Sequence, residues 1–496
     1  MMEYGPIINS TTKRFSSRDS LGIEGVAASI SAELCPIVTT VTPRAFYWPF
    51  LCWIYYDYHK YSGIKEKKIS NFDEGFLKRQ DYFFVLASLL CKNDERNLVG
   101  KQKTLIDIEE NKSGYFSYNK DYFVTGFGGM QYYNAGCQTM SFIAVDNEET
   151  GERYTFPKLT QYGEAMALAF EKVIKPTRYY KEYRLRNVPV PRDVLKEYGR
   201  YINLGMNGFD ECKRILRTHL FEYNTRLREC AQLAKLMHYI TGTYSINVNQ
   251  ARYLLFDHFA ARGEGNKYPD EIKNTVAGWE IVVGRQYFTA GIEIIWKYML
   301  DCLDEPRTLE TWINEVIKRS SFSFSLTKPV EDIIKSSNYS FEEREDMIRS
   351  GRPRSTSKRV VENGLRVALS IYNRFVNRDD LENTELLLDY GRGNLPGTGS
   401  VSLNEWNAVV SKYREKPVRE LLEYIMRELI VEQHKRTCFE KMTRYSQSIN
   451  GFYFEMVDDL YIKNEHEYQQ DFQGIRLVQL MQVMQDLDMF DGDYEL

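Results

Sequence analysis

From Gly163 to residue 377, apolar residues recur at helical spacing almost without interruption, over 163–175, 208–222, 226–240, 247–260, 270–302 with a break, 308–319, 341–350 and 356–377. This pattern sets the expected fold class as mainly α with minor β hairpins. At about 150 residues per domain, 496 residues suggest a multi-domain helical protein of roughly three parts. A hydrophobic fraction of 43% beside 27% charged residues excludes a disordered tail protein or a fibre. No internal repeat at a solenoid period is visible. The most apolar run, Phe46 to Tyr56, contains Pro49 and is about half the roughly twenty residues that a membrane crossing needs, which excludes a transmembrane reading.

The rest of the chain divides around that helical middle. Residues 1–20 are polar and read as a mobile arm. Residues 21–160 read as an N-terminal α+β domain, in which Thr42-Pro43 supplies a capping hydroxyl before a helix carrying Phe46, Phe50, Trp53 and Ile54, with Pro49 expected to kink it. A helix is expected over 69–92, then strand and loop character over 101–160. After the helical region 161–388, the segment 389–400 is glycine-rich and reads as a linker. Residues 401–496 follow as a helix, hairpin and helix. Ser402 and Glu405 form an S-x-x-E capping box there, and the order is compatible with a winged-helix-like module.

Catalytic signatures are sparse. Gly126-Phe127-Gly128-Gly129 is followed by Gln131, so it is not G-x-G-x-x-G and lacks a P-loop ending. Pro269-Asp270 and Glu280 are followed by Val282 where a metal-dependent nuclease would carry lysine. Cys212, His219, Cys230 and His238 are the one zinc-capable constellation, although separations of seven and eight residues are wider than usual zinc spacing. Asp257-His258 and Asp57-x-His59 have the form of a base with an orienting carboxylate but no nucleophile, and read more simply as structural pairs. No cofactor, metal ligand or catalytic residue is assigned, and a non-enzymatic role is favoured. Eight scattered cysteines without C-x-x-C spacing, and no secretory core in the first 30 residues, fit reduced thiols in a cytoplasmic protein.

Basic segments carry more. With 65 Lys and Arg against 69 Asp and Glu, any polyanion-binding surface must be a local patch. One candidate contains Arg178, Lys181, Arg184, Arg186, Arg192, Lys196 and Arg200, interleaved with Tyr179, Tyr180, Tyr183, Tyr198 and Tyr201. Cations of this kind neutralise phosphates while tyrosine rings accept stacked bases. The Pro189-Val190-Pro191 break suggests an extended, accessible connector. A second candidate contains Arg349, Arg352, Arg354, Lys358 and Arg359, and its Gly-Arg-Pro-Arg core is similar to an AT-hook that enters the minor groove. A solvated loop is the simpler reading of that segment.

The opening Arg18-Asp19-Ser20-Leu21-Gly22, the segment Pro36 to Arg44 and the aromatic run after it resemble an uncharacterised bacterial protein family with an R-D-x-L-G opening and an aromatic helix. Gln131-Tyr132-Tyr133, Gly163 to Phe170 and Glu432-Gln433-His434 match it further. The resemblance implies antiphage defence, because that family is often encoded in defence islands; it carries no catalytic residues over. The combined expectation is a non-catalytic, nucleic-acid-associated subunit of a bacterial foreign-DNA defence assembly. It would bind DNA weakly and work with a partner protein of ATPase or nuclease activity, in an unknown oligomeric state. Two alternatives stay open: a divergent metal-dependent nuclease or hydrolase, and a protein-binding scaffold or phage sensor whose acidic end (Asp486, Asp488, Asp491, Asp493 and Glu495) meets a basic partner.

Overall fold

Helices carry the architecture, and the strands are short hairpin pieces. The computed structural model describes residues 19–62, 72–92, 97–119, 122, 129–147, 150–259, 270–351, 357–376, 385–389, 401–445, 452–464, 468 and 474–490. Among them the sheets are two-stranded and antiparallel: Tyr115–Phe116 with Val190–Pro191, Ile143–Asp146 with Arg153–Leu159, and Phe454–Val457 with Leu460–Lys463. The protein is therefore mainly α with minor β hairpins. No helix among the described residues is long and apolar enough to cross a membrane.

The packing divides the chain into two compact units, each assembled from separated stretches. One comprises Ala32–Ala251, Tyr268–Thr275 and Gly474–Leu496. Its core is built on the helix Tyr47–Ser62. Phe46 stacks on Phe84 at 4.8 Å and Trp53 on Phe170 at 5.6 Å, with all four rings fully buried. The expected kink at Pro49 does not arise as reasoned. The helix starts at Tyr47 rather than Pro43, so Pro49 falls in the first turn, where a missing amide hydrogen leaves no bond broken. Thr42 instead closes a turn, its hydroxyl accepting from the Thr39 amide at 2.6 Å. Two helices, Lys101–Glu110 and Gly129–Thr139, stand where strand and loop character was expected.

The last helix, Arg476–Asp486, belongs to this same unit. Asp486 is buried and accepts from Arg44 Nε at 3.0 Å and from the Ala45 amide at 3.1 Å. Asp488 is bound by Lys213. These two residues are thus tied into the fold rather than offered as an acidic tail; Asp491, Asp493 and Glu495 lie outside the described residues.

The other unit comprises Met1–Ser31, Arg252–Lys267 and Val276–Gln473. Most of the helix Lys273–Asp301 runs through it without the expected break. That helix meets the helix Val360–Phe375 at two glycines. A Cβ on Gly364 would lie 2.5 Å from the Gly291 carbonyl oxygen, and one on Gly291 would lie 2.8 Å from that of Gly364. Only a missing side chain on both sides permits so close a crossing.

Around Trp296 the unit gathers Trp312, His434 and Phe454 at ring separations of 5.1–6.2 Å. The capping box forms as read, with Ser402 and Glu405 exchanging bonds at the start of the helix Leu403–Tyr413. The hairpin Phe454–Lys463 packs in this unit, whereas Arg476–Asp486 belongs to the other. The helix, hairpin and helix therefore do not close into a separate winged-helix-like module, and the linear division at 160 and 400 is not the one the packing makes.

Candidate functional site

The segment Arg178 to Tyr201 forms a π-helical turn, Tyr179–Tyr183, followed by a short strand and the amphipathic helix Arg192–Tyr201. The extra residue in the turn shows as a bond from the Arg184 amide to the Tyr179 carbonyl at 2.9 Å. It rotates the Arg184 side chain inward, correcting the expectation that this arginine faces a polyanion. Arg184 is buried, pairs with Asp57 at 3.3 Å, and lies 3.8 Å from the centre of the Tyr180 ring. Burial outweighs Arg184 at Asp57 and lifts that carboxyl to about 6.

The tyrosines are also drawn inward. Tyr179 and Tyr198 stack on each other at 4.5 Å and are fully buried, and Tyr180 is buried too, so a row of free base-stacking rings does not exist here. Tyr201 is exposed and Tyr183 partly so.

What faces solvent is the charge. The helix Arg192–Tyr201 lies close against a neighbouring helix, Phe72–Leu90, at Gly199, where an added Cβ would be 2.3 Å from the Ala87 carbonyl oxygen. Its exposed face carries Lys196 and Arg200, which are in no ion pair among the described residues; half-buried Arg192 sits one turn before, 5.7 Å from the Phe116 ring centre. Spacing by four places the three in a stripe roughly 12 Å long. The acids on the adjoining face do not cancel it, because Arg178 engages both, Asp193 at 2.8 Å and Glu197 through Nε. That bond holds the Asp193 carboxyl below its ordinary range. Lys181 and Arg186, before the strand, are exposed; Lys181 donates to the Pro176 carbonyl at 2.7 Å.

In the other unit, Arg349 is exposed but paired with Asp346 at 2.7 Å, and Lys358 and Arg359 are exposed at the start of the helix Val360–Phe375. Arg352 and Arg354, the centre of the AT-hook-like string, lie outside the described residues, as do Gly126 to Gly128 and the linker from 390 to 400.

The zinc-capable constellation is dispersed. His219 Nε2 binds the Met140 carbonyl at 2.6 Å, the Cys230 thiol donates to the Leu34 carbonyl at 2.8 Å, His238 Nδ1 binds the Thr243 carbonyl, and burial pushes the Cys212 thiol up to about 12. His219, Cys230 and His238 are each committed to a different carbonyl, and Cys212 is buried. Among the described residues no group of three or more His, Cys, Asp and Glu is placed to hold a metal ion. His59 Nε2 likewise binds the Pro157 carbonyl at 2.8 Å, and Glu280 accepts from Arg374 at 2.6 Å.

A second polar site was not singled out from the sequence. It is an open cleft of about 560 Å³ in the unit that contains Val276–Gln473. Asp257 and Phe256 enter it from another π-helical turn, Tyr253–His258, marked by the Phe259 amide reaching the Leu254 carbonyl at 2.8 Å. Arg344 binds Asp257 through both carboxylate oxygens and also donates to the Tyr339 carbonyl. Asp257 was legible only as a neighbour of His258. Its partner stands 87 positions away, and no local spacing announces such a pair.

No family model matches the chain, and neither a curated protein nor a solved structure matches it.

Proposed function

We propose that this protein is a non-catalytic, nucleic-acid-associated subunit of a bacterial assembly directed against foreign DNA, working beside a partner of ATPase or nuclease activity. The observation that carries the binding part is the stripe of Lys196 and Arg200, in no ion pair among the described residues and extended by Arg192, on a helix whose nearby acids are taken up by Arg178. Cations free of internal carboxylates release counterions when they meet phosphates, which gives sequence-independent, salt-dependent affinity. Overall charge balance suits a subunit that holds a duplex locally better than one that coats it. The defence context is supported by the family resemblance of the N-terminal strings.

The test is fluorescence anisotropy with a labelled duplex over a series of salt concentrations, comparing the wild type with the double variant Lys196→Glu, Arg200→Glu. Two lost phosphate contacts reduce the slope of log affinity against log salt by about 2 and weaken binding about tenfold near 100 mM salt. An unchanged slope in the double variant would remove this helix as the interface.

A further inference from the structure

The cleft beside Arg344 has a chemistry of its own, and it goes beyond the nucleic-acid reading. Three cations line it, Lys335, Arg344 and Arg374, against one carboxylate, Asp257. The remaining acids stand behind these cations rather than in the lining: Glu280 holds Arg374 Nε at 2.6 Å, and Glu331 pairs with Lys335 at 3.2 Å. Arg374 also donates through one Nη to the Phe256 carbonyl at 2.7 Å, which leaves its other Nη without a bond among the described residues. The Lys335 pair is a surface one, with the lysine side chain 69% exposed, so it exchanges readily for a competing anion.

Arg344 is differently placed. Held through its two Nη atoms by Asp257 and Tyr339, its guanidinium lies 4.9 Å from the Phe256 ring centre, with that of Arg374 at 5.1 Å from the same ring. It stiffens the wall on which Arg374 is mounted. Asn338 and Asn373 add two exposed side-chain amides that have no partner among the described residues, each able to donate and accept.

Two of the lining cations keep donors for a phosphate monoester near neutral pH: Arg374 through its second Nη, and Lys335 by exchanging its surface partner Glu331. Guanidinium and ammonium donors suit its oxygens, and free amides suit a ligand with hydrogen-bonding groups beyond the phosphate. The volume falls within the range of small-molecule sites. A π-helical turn at the wall is the kind of local irregularity that recurs at ligand sites. We propose that this cleft binds a phosphorylated small molecule the size of a mononucleotide, with Arg374 and Lys335 on the phosphate and Asn338 and Asn373 on the remainder.

Isothermal titration of the full chain tests this with adenosine 5′-monophosphate, ribose 5-phosphate, adenosine and inorganic phosphate as probes. Support is binding of at least one sugar phosphate with Kd below about 1 mM, adenosine at least about tenfold weaker, and loss of about tenfold or more in both Lys335→Glu and Arg374→Gln. Lys335 is exposed, so its variant keeps the result readable if Arg374→Gln proves poorly folded. The proposal is overturned if neither sugar phosphate binds, if inorganic phosphate binds as tightly as either, or if Lys335→Glu leaves the affinity unchanged. Duplex binding measured on the same variants separates this outcome from that of the stripe at Lys196 and Arg200, since neither substitution touches that helix.

Discussion

His434 shows how one buried side chain sets a pH limit. Its ring donates from Nδ1 to the Ser20 carbonyl at 3.0 Å and accepts at Nε2 from the Tyr453 amide at 3.1 Å, an arrangement only the neutral imidazole can make. Burial holds the ring down to about 4. The folded state therefore binds this proton later than the unfolded chain. The associated stability is complete above pH 6.5 and is lost as pH falls from 6.5 toward 4, on the order of 3 kcal/mol in all. We expect the His434 proton resonance to titrate near 4; a midpoint near 6.5 would refute the neutral bridge.

Glu293 has the opposite sign. Burial pushes its carboxyl well above the ordinary range, and Glu24 beside it adds to the shift. Its stabilising effect is present below pH 4.5 and declines as pH rises. Glu293→Gln should therefore melt a few degrees higher than the wild type at pH 7, with the difference vanishing near pH 4. Arg44 and Asp486 add a third case at this scale. Asp486→Ala takes the carboxylate from a fully buried guanidinium and should cost about 3–5 kcal/mol in a denaturant titration.

At the level of elements, the crossing of Lys273–Asp301 with Val360–Phe375 depends on two absent side chains. Gly364→Ala places a methyl 2.5 Å from a carbonyl oxygen and should destabilise by about 1–3 kcal/mol, whereas exposed Asn373→Ala on the same helix should stay within about 0.5 kcal/mol. This crossing also explains a misreading. The helix expected to break within 270–302 runs on unbroken over Lys273–Asp301, and its Gly291 serves contact with a partner remote in sequence.

Most helices were legible because apolar spacing and caps such as Ser402 with Glu405 act within a few residues. Lys101–Glu110 escaped because its single buried residue, Thr104, leaves no apolar stripe to read. The basic helix was legible as composition but not as geometry. Which of Arg178, Arg184 and Lys196 meets solvent depends on Asp57, Asp193 and Glu197, and on a π-helical turn that no spacing rule reveals.

For the whole molecule, charge and connectivity pull apart. A chain with nearly balanced charge still presents free cations, because its carboxylates are spent on particular arginines rather than spread evenly. The cleft was unreadable for the same reason: Asp257, Arg344 and Arg374 meet only once the chain has folded. Truncation after residue 473 removes Asp486 from Arg44 and Asp488 from Lys213. The shortened protein should show a broadened or two-step thermal unfolding transition, measured by calorimetry, where the full chain gives a sharper one.

That closing helix has a consequence for synthesis. Residues 32–251 leave the ribosome early, yet the stretch 474–490 that completes their core emerges more than two hundred residues later, a wait of roughly ten seconds or more at ordinary translation speeds. During that interval the surface awaiting Arg476–Asp486 is bare, so a nascent-chain chaperone or a slow-growth temperature should raise the yield of native protein more than it would for a chain whose units are each one continuous stretch.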